Sequence, residues 1–161
     1  MKTVHKIDAA VVMVSIFALI FVIGYARPLV IAPLDNYSTS DTKVLFSIDN
    51  ADKLIIDDNL EFTTPDEYLV EEGMKINLVP GEYYWKAVGV VDSEIRTLKI
   101  LSEVSLEMKK IDEEHYSVVN SGNVRLNVEV YNGTELIEQK KLEVNEESQT
   151  SGDKIVGGQD E

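Results

Sequence analysis

The sequence contains no cysteine. That excludes a disulfide framework, a thiolate metal site and a cysteine nucleophile. Exported domains that lack disulfides are more typical of bacterial and archaeal surfaces than of eukaryotic ones. Basic residues are also scarce, with 15 Lys and Arg against 29 Asp and Glu, for a net charge of −14. Binding a phosphate backbone needs cations that displace counterions, so nucleic acid is not an expected partner. Histidine is rarer still: His5 and His115 are the only two. A catalytic zinc site commonly draws on two or three, and a nucleophile–base pair needs at least one well placed. No G-x-S-x-G, P-loop or G-x-G-x-x-G pattern occurs in the chain. These absences point away from an enzyme, and no cofactor is expected.

Charge is absent from one long stretch, AAVVMVSIFALIFVIGYA, residues 9–26. As a helix it spans ~27 Å, close to the ~30 Å of a bilayer's hydrocarbon core. Lys2 and Lys6 precede it and Arg27-Pro28 follows it. The positive-inside tendency then keeps residues 1–8 as a cytoplasmic tail and carries the rest across, with Arg27 snorkelling at the far interface. Pro28 has no amide hydrogen and disfavours α geometry at Arg27, so the helix should end there. Residues 27–42 read as a stem and linker. The alternative is a cleaved signal peptide: Gly24 and Ala26 are small residues at the two positions a signal peptidase reads. There is no lipoprotein cysteine and no convincing pilin-type leader.

Beyond the linker the periodicity changes to two. KVLFSID (43–49) places Val44, Phe46 and Ile48 on one face, and KLIID (53–57) alternates likewise. A short strand is expected at 61–63, stopped by Pro65, then others over 68–71, 74–78, 82–91 and 94–100. Short strands at this spacing, separated by turn formers, read as a β-sandwich over 43–101. A second small β module is expected over 102–144. It includes VRLNVEV (124–130), a strict alternation with one wet face, and Asn132-Gly133, a hairpin signal. The polar, Gly-rich segment 145–161 is expected to be a largely disordered tail, with IVGG able to add a short edge strand.

The stretch LVPGEYYWKAVGV (78–90), followed by Ser93-Glu94 and RTLKI (96–100), resembles the closing strands of prokaryotic fibronectin type III-like domains. VLFSID resembles their earlier Phe-x-Trp strand, with Ile48 where Trp is common. VVNSGNVRLNVEVYNG (118–133) is similar to small immunoglobulin-like modules of archaeal and bacterial surfaces. The resemblance implies an extracellular spacer or binding module and brings no activity with it. The expected fold class is therefore an all-β ectodomain, immunoglobulin- or fibronectin-like, as one sandwich or two small modules, after one N-terminal transmembrane helix.

Candidate sites are few. Tyr83, Tyr84 and Trp85 form a candidate aromatic binding surface, although a core Trp flanked by sheet-surface Tyr is the plainer reading. Asp49, Asp52, Asp57 and Asp58 invite a calcium site, but their spacing is not an EF-hand and aspartate belongs at turns. Asp112-Glu113-Glu114-His115 lacks a second histidine. No catalytic or metal residues are therefore assigned. Asn36-Tyr37-Ser38 and Asn132-Gly133-Thr134 are N-glycosylation sequons, at Asn36 and Asn132. The expected role is non-catalytic: a single-pass cell-membrane protein, N-terminus cytoplasmic and β region extracytoplasmic. Its partners would be the membrane and other envelope or membrane proteins. A secreted binding module and an envelope hydrolase are the alternatives.

Overall fold

The computed structural model describes residues 2–113 and 115–160, with the backbone alone at 2–7 and 23. One helix, α1 (Lys2–Tyr25), opens the chain. Its last turn is closed by the Ala26 amide donating to the Val22 carbonyl at 2.9 Å, ahead of Pro28. Fourteen strands follow: β1 (Leu29–Ala32), β2 (Tyr37–Thr39), β3 (Lys43–Asp49), β4 (Lys53–Asp57), β5 (Asp66–Leu69), β6 (Met74–Asn77), β7 (Gly81–Val88), β8 (Arg96–Ile100), β9 (Leu106–Lys110), β10 (Tyr116–Asn120), β11 (Leu126–Asn132), β12 (Glu135–Leu142), β13 (Glu147–Thr150) and β14 (Lys154–Gln159). Among the described residues they form four sheets, in the orders β1-β3-β6, β2-β8-β7-β4-β5, β13-β10-β9 and β12-β11-β14. The molecule is all-β beyond the helix and fits a β-sandwich.

The chain divides into two compact units. The first holds residues 1–37, 45–75 and 83–98; the second holds 38–44, 76–82 and 99–161. In the first unit, β4 pairs antiparallel with β7, Ile56 opposite Trp85 and Leu54 opposite Ala87. Phe46, Leu54, Ile56, Trp85, Ala87 and Leu98 are all buried. Phe46 from β3 meets Trp85 from β7 edge to face, with centroids 5.2 Å apart and planes at 89°. That contact joins the inner faces of two different sheets, which is how a sandwich closes its core.

In the second unit, Leu126, Val128 and Val130 of β11 bury one face with Leu142 of β12 and Val118 of β10, and Leu106, Val124 and Ile155 pack around them. Asn120, fully buried, joins this core through polar bonds. Its Nδ2 donates to the carbonyls of Val124 (2.8 Å) and Leu142 (3.1 Å), and its Oδ1 accepts from the Gly122 amide at 3.1 Å. A buried amide side chain is tolerated here because its hydrogen-bonding capacity is met. Asn123 clamps the entry to the unit: its Oδ1 accepts from the Glu103 amide, and its Nδ2 donates to the carbonyls of Ser40 and Leu101. Gly122 is required beside it, since a Cβ there would collide with the Glu103 carbonyl.

Two expectations are corrected. Residues 61–63 form no strand. Asp57 instead folds the segment into a turn, its carboxylate accepting from the Asn59 amide at 3.1 Å and the Thr64 amide at 3.0 Å, with Phe62 at φ 51°. Segment 145–161 is not a disordered tail. β13 pairs with β10 and β14 pairs with β11, so both strands complete the second unit. A transmembrane helix is expected over 9–26, but among the described residues no helix is long and apolar enough to cross a membrane.

Candidate functional site

Every described side chain of α1 from Asp8 to Val22 is exposed. Phe17 and Phe21 are 68% and 78% exposed, and Val14 is 68% exposed. Apolar residues occupy all sides of the helix rather than one stripe. Ser15, the single hydroxyl between Asp8 and Val22, donates back to the Val11 carbonyl at 2.9 Å and so presents no unmet polar group. Such a helix lacks the polar face that a surface helix of a globular protein turns to water.

The aromatic strand does not form a platform. Trp85 is fully buried, with Arg96 stacked 5.8 Å from its ring. Tyr83 and Tyr84 are half-buried on β7. Tyr83 instead borders a cleft of about 160 Å³ with Asp57, Asp58, Thr64 and Asp66. Asp57 is committed to its turn: burial pushes its carboxyl up, and the amides of Thr64 and Asn59 more than reverse that, leaving it below its ordinary value. Asp49, Asp52 and Asp58 are exposed turn or strand-end residues. Asp112 receives the His115 backbone amide at 2.8 Å, and its Oδ1 lies 2.8 Å from His115 Nδ1, closing a local turn; Glu114 lies outside the described residues. Among the described residues, no group of three or more His, Cys, Asp or Glu is placed to hold a metal ion.

The two sequons differ in setting. Asn36 has φ 56°, and its Nδ2 donates to Asp35 Oδ2 at 3.1 Å. Asp35 also accepts from the amides of Asn36 and Thr97, so the segment is tied to the first unit. Asn132 ends β11 at the tip of the β11–β12 hairpin, with Gly133 at φ 61° and both Asn132 and Thr134 exposed. The Gly133 amide donates to the Asp153 carboxylate at 2.8 Å and 3.0 Å, holding the tip to the link between β13 and β14.

Two features escaped sequence reasoning. A cleft of about 400 Å³ in the second unit joins Asn132 to Tyr116, Ile137, Ser151 and Asp153. Another, of about 320 Å³ beside the end of the helix, is lined by Arg27, Asp92, Glu94 and Arg96. The only advance signal for the first was the Asn-Gly hairpin, because its other walls come from segments distant in sequence. No protein-family model, curated protein or solved structure matches this chain.

Proposed function

We propose that the chain is a single-pass membrane protein, N-terminus cytoplasmic, whose β region lies outside the cytoplasm and is of the fibronectin III or immunoglobulin-like kind. It acts without catalysis, as a cell-envelope component or an accessory subunit of a membrane complex. The observation that carries this reading is the exposed, all-round apolar surface of α1. The uncharged run 9–26 of the sequence includes Ile23 and so extends beyond the described side chains; as a helix its 18 residues would span ~27 Å, close to a bilayer's hydrocarbon core. The flanking lysines supply the orientation. The β region carries all but one of the chain's 29 acidic residues, and it favours water over an anionic membrane surface.

The test is the mass of the mature N-terminus combined with affinity purification of the full chain from detergent-solubilised membranes. An intact helix and reproducible co-purifying membrane or envelope proteins are expected. A mature start at Arg27 would make the helix an export signal and the product a secreted module. A protein that always purifies alone would remove the complex-subunit role.

A further inference from the structure

We infer that Asn132 is the glycosylated sequon of this protein, that Asn36 is not, and that the first sugar of the glycan seats in the cleft beside the hairpin tip. The inference rests on the proposed export of the β region. Both sites satisfy the same three-residue pattern, so sequence alone ranks them equally. Their geometry separates them. Both sequons are exposed, but the Asn36 amide nitrogen is already donating to Asp35 and its backbone is left-handed. Among the described residues, the Asn132 side chain makes no hydrogen bond, and Asn132, Gly133 and Thr134 all face solvent at a hairpin tip. A transferase needs the amide nitrogen and the hydroxyl two residues on to be reachable together.

The attachment is a group transfer. Asn132 Nδ2 forms a bond to the anomeric carbon of a lipid-phosphate-linked oligosaccharide. The anomeric C–O bond to the phosphate breaks, and the amide proton leaves with the phosphate-bearing lipid; nothing is oxidised or reduced. The cleft of about 400 Å³ that Asn132 borders then lies within one sugar's reach. Its walls suit a pyranose: Tyr116 and the exposed Ile137 offer apolar surface to the ring's C–H face, and Ser151 and Asp153 offer partners to its hydroxyls. Gly152 keeps this wall close to β11, since a Cβ there would approach Val130 Cγ1 at 2.5 Å and the Tyr131 carbonyl at 2.8 Å.

The experiment uses the full chain purified from its native membranes. Intact mass and glycopeptide sequencing are expected to show sugar at Asn132 and none at Asn36. Asn132→Gln and Thr134→Val should each lose the whole added mass, and Asn36→Gln should lose none. A bare Asn132, or a glycan at Asn36, overturns the assignment. Intact cells treated with a membrane-impermeant amine reagent separate the two levels. Labelled ectodomain lysines with a bare Asn132 overturn the glycan and leave the export reading standing. Lysines labelled only after lysis, with a bare Asn132, overturn both. For the seating, amide exchange over 151–153 should slow at least about threefold with the glycan present and return in Asn132→Gln. Equal exchange with and without the glycan overturns the seating.

Discussion

Single polar groups decide more here than their number suggests. Asn120 is the clearest case, because its side chain donates to two carbonyls, that of Val124 in the loop before β11 and that of Leu142 at the end of β12. Replacing it with alanine strands both acceptors away from water, and each buried unmet group costs ~1–3 kcal/mol. Asn120→Ala should therefore lower the urea midpoint of the second unit without altering Trp85, which sits in the first; a wild-type midpoint would show that water replaces the amide. Acid sensitivity belongs to the same scale. Asp57, Glu138 and Asp160 are all held below their ordinary values of 3.8, 4.5 and 3.8. For Glu138 the largest cause is Lys140, helped by the Thr150 hydroxyl; for Asp160 it is Lys141, with Arg125 adding to it and burial opposing. Depressed carboxyls bind fewer protons in the folded state, so their stabilisation is complete above the unfolded values. It is lost as pH falls from about 4.5 through the lower folded values. Denaturation midpoints should hold from neutral pH to about 5 and then drop, and Asp57→Asn should flatten part of that drop; a midpoint unchanged down to pH 3 contradicts the assignment.

At the level of strands, the last two are decisive for the second unit. Truncation after Val144 removes one of the two partners of β10 and of β11, along with Ile155 and the Asp160 contacts to Arg125 (2.6 Å) and Lys141 (2.8 Å). The remaining strands are too few to shield Leu126, Val128 and Val130. The truncated chain should be cut rapidly by protease within residues 102–144, while the full chain resists; equal resistance would mean that the tail is dispensable. The difficulty of reading these strands from sequence has a physical origin. β13 turns Ser148 and Thr150 inward, where Lys140 and Glu138 satisfy them, so it lacks the apolar alternation that marks β3 or β11. β14 carries glycine where a side chain would stand, because Leu106 packs 3.3 Å from the Cβ position of Gly157. Where both faces differed in polarity, as in KVLFSID and LNVEV, the pattern was legible to the residue. The error at Phe62 had another source: β-propensity lost to an aspartate-anchored turn. Of the candidate sites, the hairpin tip at Asn132 was visible as Asn-Gly, whereas its cleft depended on pairing between residues twenty positions apart.

At the scale of the whole molecule, two opposite surfaces share one chain. The β region is strongly acidic and buries an apolar core in each unit, and α1 exposes apolar side chains on every side. Bringing so many large aliphatic and aromatic side chains out of water is worth ~25 cal/mol per Å², far more than the helix would gain by staying solvated. Among the described residues no core covers them, and the proposed anchor would place them in a bilayer. Extraction of native membranes with alkaline carbonate tests this most directly. The anchored account predicts that the full chain stays in the membrane pellet and enters solution only with detergent. Release into the carbonate supernatant would contradict it.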